Sequence, residues 1–176
     1  MNAALLIVDG YNVIGAWAEL QHLKREASIE LARDRLVERL SSYVAVHHYE
    51  TIVVFDAYAQ TQPAHHQSTS AGIQVCFTGW GETADTWIER CCAQYRGSRK
   101  RVRVATSDRV QQLVVSGYGA EWLSAQQLLR EVNQTDAEIR SQQQRQRGQG
   151  QSLARFLDPD TRERLNQWRI HGVDPG

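Results

Sequence analysis

Five acids stand at places where the chain changes direction. Asp9 closes the apolar run A-A-L-L-I-V, Asp56 closes T-I-V-V-F, and Asp108 follows V-R-V-A-T-S, while Glu82 and Asp85 lie three apart at the start of a helical pattern. Carboxylate oxygens are the hard donors that Mg2+ and Mn2+ require. Carboxylates that converge can hold one or two such ions, which at a phosphodiester generate a nucleophilic hydroxide and offset the charge building on phosphorus. Without a cation they would repel and raise one another's pKa. Each acid also has a purely local use. Asp9 before Gly10 can close its strand with an Asx-turn, Asp85 and Asp108 complement the dipole of the helices they open, and Glu82 suits a solvated cap.

The elements that would carry these acids read as an alternation of strand and helix. Residues 3–8 form an apolar run too short for a typical helix and stopped by D-G-Y-N, which fits a strand buried on both faces with Asp9 at its carboxyl end. In open α/β sheets that edge is where ligands bind. Residues 12–24 are expected to be a loop. Ile29, Leu36, Val37, Leu40, Tyr43 and Val44 then recur at helical spacing after Ser28, with Arg33, Asp34 and Glu38 assigned to the outer side. Further strands are expected at 51–55, 73–77, 102–105 and 120–123, with a surface loop over 56–70. Thr83 is placed to cap one helix and Ser107 another, whose inner positions include Val110, Leu113 and Val114. Ser124 and Gln127 make a capping box for a last long helix. The fold class expected is α/β, a central parallel sheet of about five strands with helices on both faces and a helical C-terminal tail.

Four short motifs fall at these boundaries: D-G-Y-N-V-I-G-A-W at 9–17, V-V-F-D-A at 53–57, G-E-T-A-D at 81–85 and A-T-S-D at 105–108. In this order they resemble the YacP-like branch of the NYN domains, within the PIN-like nucleases, over most of the chain. The resemblance implies a metal-dependent endoribonuclease with a three-layer PIN-like fold, an RNA substrate such as mRNA, and an association with the ribosome in RNA turnover. It places Asp9, Asp85 and Asp108 at the catalytic acidic positions, with Mg2+ or Mn2+ as cofactor. Glu82 becomes an outer ligand or a residue that orients water, and Asp56 a looser counterpart of the acid that ends the second strand in the wider superfamily. Asn12 is assigned to holding Asp9 or a phosphate oxygen, and Ser107 offers a hydroxyl at the same edge. The alternative is a module that keeps the fold and binds RNA or the ribosome without cutting. Clustered carboxylates weaken that alternative, because they repel a polyanion unless a cation intervenes.

Other tenants of such a sheet lack their residues here. No G-x-G-x-x-G follows the first strand and no G-K-[ST] occurs, which excludes dinucleotide and P-loop sites. Tyr11 stands where a haloacid-dehalogenase-type phosphatase would need a second Asp.

The formal charge is zero but unevenly spread: residues 1–88 hold 5 basic against 10 acidic residues, and 89–176 hold 15 against 10. Eighteen of the 20 basic residues are Arg, whose planar fork suits phosphates. Arg99, Lys100 and Arg101, in the turn before the fourth strand, are candidates for sequence-independent backbone contacts if they face the acidic rim. A solvated charge run would look the same. Trp17 and Trp80 suit either base stacking or packing, and Trp87 packing.

Three cysteines without a CxxC pair suit a reducing compartment, and no apolar run approaches membrane-spanning length, so a soluble cytoplasmic protein is expected. The expected organisation is a nuclease domain over 1–139, a Gln/Arg-rich helix extension or linker over 140–151, and a tail over 152–176 with a short amphipathic helix.

Overall fold

The computed structural model describes residues 4–56, 65–68 and 72–156, with backbone alone for 65–68 and 147–156. Two compact units divide the chain at Asp136 and Ala137. The acids and the sheet belong to the first.

The organising strand is β1, Leu5–Asp9, whose five residues are all buried. It pairs in parallel with β2, Glu50–Phe55, on one side and with β5, Val102–Ala105, on the other. Beyond β2 lies β4, Ile73–Phe77, again parallel, and beyond β5 lies β6, Glu121–Leu123. The sheet order is β3-β4-β2-β1-β5-β6. Five strands are parallel, as the alternating pattern predicts. The sixth, β3, His65–Ser68, runs antiparallel along the outer edge of β4. It falls within the stretch expected to be loop: four polar residues carry no apolar alternation, and only pairing with β4 makes them a strand.

Alternation along the strands feeds two cores. Leu6, Val8, Val53 and Phe55 face a layer formed by Val13, Ile14, Trp17, Leu36, Leu40, Tyr43 and Leu128. Leu5, Ile7, Val54 and Val104 face Trp87, Ile88, Cys91, Cys92 and Val115. The first layer carries α1 (Gly10–Ala16), α2 (Ala18–Glu26), α3 (Ile29–His47) and the start of α6 (Ala125–Phe156). The second carries α4 (Ala84–Tyr95) and α5 (Arg109–Gly117).

The stretch after β1 departs from the sequence expectation. Instead of a loop it forms α1 and α2, because Val13, Ile14, Trp17 and Leu20 all bury against the sheet and α3. Trp17 is a core residue, and its indole N–H donates to the Ala125 carbonyl at 2.8 Å. Gly10, Asn12 and Gly15 look like breakers in the sequence. Gly10 is instead a close-approach residue, since a Cβ there would overlap the buried Phe55 ring.

The Thr83 cap and the Ser124–Gln127 capping box are as read, and Ser28 adds a cap to α3. Ser28 accepts from Leu31 N, Thr83 accepts from Thr86 N, and Ser124 and Gln127 bond reciprocally. The cap of α5 is not. Asp108 rather than Ser107 accepts from the first-turn amides, and the helix turns Gln111 and Val115 inward while Val110 and Leu113 stay exposed. Moving the cap by one residue rotates the helix face by about 100°.

Arg103 within β5 is 9 % exposed and donates to Tyr43 Oη at 2.8 Å, Tyr49 Oη at 3.0 Å, Glu131 and Glu121. It faces the helical layer of α3 and α6, as its alternation in the strand suggests. In the Gln/Arg-rich stretch α6 stays helical, and residues 141–146 are exposed. The tail residues Leu157, Leu165 and Trp168 lie outside the described residues, as do Pro63 and the rest of 57–64.

Candidate active site

Asp9 ends β1 with 7 % of its surface exposed. Its Oδ1 accepts from Asn12 N at 3.1 Å, which caps α1 and fixes the carboxylate at the carboxyl edge of the sheet. Asp108 follows β5, and its Oδ1 accepts from Val110 N at 2.7 Å and Gln111 N at 3.1 Å. Asp85 lies in the first turn of α4, where its Oδ1 accepts from Gln111 Nε2 at 2.6 Å. Asp56 leaves the end of β2 directly beside β1.

These four carboxylates share one electrostatic neighbourhood. Burial pushes Asp9 from 3.8 up to about 6; the Asn12 amide opposes the rise, and Asp85, Asp108 and Asp56 add to it. Asp85 is raised as well, first by burial and then by Asp108 and Asp56. Among the described residues no three acidic, histidine or cysteine side chains stand close enough, as placed, to close a shell around an ion. The acids therefore share a field before they share a ligand sphere. The donor set nevertheless suits a hard divalent cation: the hydrogen bonds given to Asp9, Asp85 and Asp108 all use Oδ1, and a cation would remove the repulsion that raises Asp9.

The other sequence candidates separate. Glu82 turns away to pair with Arg90, and its field reaches Cys76. Glu82 precedes the Thr83 cap and Arg90 lies within α4, eight residues on, a pairing that motif spacing does not reveal. Asn12 Oδ1 accepts from Ser107 N at 2.7 Å, and Ser107 Oγ accepts from Ala125 N at 3.2 Å. Both residues thus tie the turn after β1 to the turn after β5 and so hold Asp9 and Asp108 in register.

Arg99, Lys100 and Arg101 lie at the wrong edge for the rim contact considered above. Leu5 N donates to Arg101 O at 2.8 Å, so these bases stand where β1 begins, and Asp9 stands where it ends. Five strand residues separate the two edges by about 16 Å. Arg99, Lys100 and Arg101 line a cleft of about 240 Å³ with Tyr95 and Tyr118, next to the carboxyl ends of α4 and α5. Cations there offset the helix dipoles. Lys100 also pairs with Glu50, and Arg101 with Glu121 at 3.2 Å.

Of the tryptophans, Trp17 and Trp87 are core, and Trp80, in the turn before α4, is 81 % exposed. Two residues of the site have no motif to announce them. Gln111 holds Asp85 through its side chain and Asp108 through its backbone N–H, and only the observed rotation of α5 shows it facing inward. Arg33, assigned to the outer face of α3, instead lies against the rings of Tyr11, Phe55 and Phe77 at the carboxyl edge. Arginine at an amphipathic boundary can follow either side, so periodicity does not decide it.

Known proteins share this fold. The sequence profile of the YacP-like NYN domain matches residues 6–170. An uncharacterized protein YacP of Bacillus subtilis is 34 % identical over 170 residues, covering 97 % of this chain and 99 % of that protein. The crystal structure of Rae1 (YacP) from Bacillus subtilis superposes with a TM-score of 0.70 at 33 % identity, covering 100 % of this chain and 99 % of that one. A tryptophan-to-leucine mutant of Rae1 gives a TM-score of 0.71 at 32 % identity, covering 93 % and 98 %. A sheet carrying acids on its carboxyl edge, a match over nearly the whole length and a shared three-dimensional course lead to one assignment: the chain belongs to the YacP-like NYN domain family, with its nuclease-like fold.

Proposed function

We propose that this protein is a metal-dependent endoribonuclease that hydrolyses RNA phosphodiester bonds at the carboxyl edge of the sheet. The observation that supports it most is that Asp56, Asp85 and Asp108, from the end of β2, the first turn of α4 and the cap of α5, all raise the buried Asp9 carboxyl at the end of β1. Like charges this close raise one another's pKa, and a bound cation relieves that repulsion.

In this reading Asp9, Asp85 and Asp108 hold Mg2+ or Mn2+, with Asp56 beside them. The bound ion supplies charge neutralisation at the phosphate and acidifies a water. The chain's own task is to keep the carboxylates aimed: Asn12 and Ser107 fix the two turns, and Gln111 fixes Asp85. Glu82, paired with Arg90, is left out of the ligand set. The substrate class, RNA such as mRNA, and a place at the ribosome in the cytoplasm follow from the family alone.

Incubation of labelled RNA and matched DNA with Mg2+, Mn2+ or chelator tests the reading. RNA should be cut internally only when a cation is present. Asp9→Asn should stop the cutting while the protein still folds and binds RNA. Equal cutting by Asp9→Asn across a metal titration contradicts the assignment of Asp9, and RNA binding with no cutting in any metal supports the binding-only alternative.

A further inference from the structure

We propose that Arg33 is a substrate-binding residue that grips a backbone phosphate of the nucleic acid on the α3 side of the sheet edge. The proposal rests on the nuclease reading above and extends it to a residue that no motif marks. Its guanidinium carbon lies 5.4 Å from the Tyr11 ring centre, 5.6 Å from Phe55 and 5.3 Å from Phe77. Nη2 donates to Tyr11 Oη at 2.5 Å. The three rings hold the planar group in one orientation, which removes much of the rotamer entropy that a free arginine loses on binding.

What this arginine lacks is an adequate counter-charge. Its side chain is 21 % exposed, and among the described residues Nε is buried without a hydrogen-bond partner and the ion pair is with Glu30 at 3.9 Å. Glu30 itself is 66 % exposed, so that contact is weak. A largely desolvated cation with so weak a counter-charge is a costly arrangement unless an anion completes it. Cation–π contact with three rings offsets part of that cost, but it leaves the in-plane N–H donors of Nη1, held among the described residues only by the 3.9 Å ion pair with Glu30, for a phosphate oxygen.

The position fits such an anion. Phe55 and Phe77 are the last residues of β2 and β4, and Tyr11 lies two residues beyond Asp9. Val8 and Phe55 belong to the core layer under α3, and Ile7 and Val54 to the opposite layer. Asp9 and Asp56, next in the alternation, therefore lean toward α4 and α5, where Asp85 and Asp108 lie. Arg33 occupies the same edge on the other face. A strand of nucleic acid laid across the edge would present one phosphate to the acids with their cation and a neighbouring phosphate to this guanidinium.

The test is an anisotropy titration of labelled single-stranded RNA with the full chain carrying Asp9→Asn, with and without Arg33→Gln, over a range of KCl concentrations. Losing one charge-assisted phosphate contact should weaken binding about tenfold and lower the slope of log affinity against log salt by about 0.7. Arg33→Lys, which keeps the charge and the stem, should bind more weakly than the parent with an unchanged slope. Thermal melts identify any loss of fold, and if Arg33→Gln does not fold, the Lys variant decides. Equal affinity and slope in the folded variants overturn the role of Arg33 while leaving cleavage by the parent intact. A parent that neither cuts nor binds RNA overturns both this proposal and the reading beneath it.

Discussion

A carboxyl group that burial and three neighbours hold near pH 6 ties Asp9 to stability as well as to chemistry. Its folded value lies above the unfolded one, so stability is undiminished below about pH 4. It falls as pH rises through the window up to about 6, and the full cost is present above that. A rise from 3.8 to about 6 corresponds to a cost on the order of 2–3 kcal/mol at neutral pH. In chelator at neutral pH, Asp9→Asn should therefore melt several degrees above the parent, since its amide oxygen can still accept from Asn12 N. The gap should close toward pH 4, and thermal melts across pH measure it. A parent and variant that melt together at every pH would mean that Asp9 is not crowded by its neighbours. This residue was legible in the sequence because strand direction alone sends the end of a strand to one edge. Gln111, Arg33 and the turning of Glu82 toward Arg90 were not, because each depends on helix rotation or a tertiary partner.

At the scale of elements, β5 is clamped to α3 and α6 by one buried arginine. Burial opposes the Arg103 charge, while the Glu131 carboxylate raises its pKa. The same arginine, with Tyr43, lowers the Glu131 carboxyl against burial. Arg103→Ala would leave Tyr43, Tyr49 and Glu131 without this partner. We expect a loss of about 2–4 kcal/mol in urea unfolding, less than for a fully buried pair because Glu131 reaches solvent. Cleavage per folded molecule should be preserved, since Arg103 lies on the strand rather than at its acidic end. The strands β1, β2, β4, β5 and β6 and four helices were visible as short apolar runs or 3.6-residue stripes. The helices after β1 were hidden by Gly10, Asn12 and Gly15, which suit turns in isolation and are tolerated here because one abuts Phe55, another spans two turns, and the third has open space around it. The edge strand β3 has no hydrophobic signature at all.

Across the whole molecule, charge is arranged by edge. The acids sit at the carboxyl edge, and the Arg99–Lys100–Arg101 run sits at the amino edge beside two helix carboxyl ends. The imbalance between the two halves of the sequence was readable, but its place in space was not, because a turn before a strand and a turn after one look alike in composition. If the amino-edge bases serve the helix dipoles, Arg99→Ala combined with Arg101→Ala should change RNA affinity by less than about threefold at moderate salt, where charges beyond about 8–10 Å are screened. An RNA titration by anisotropy measures this, and a tenfold loss would return those bases to the substrate path. No helix among the described residues is long and apolar enough to cross a membrane. At the carboxyl edge, the acids at the ends of β1 and β2, in the first turn of α4 and at the cap of α5 are proposed to act as one cation site. Anomalous scattering from a crystal soaked in Mn2+ examines that most directly. A manganese peak within bonding distance of Asp9, Asp85 and Asp108, lost in Asp9→Asn, is expected, and saturating Mn2+ with no peak at that edge would rule the cation site out.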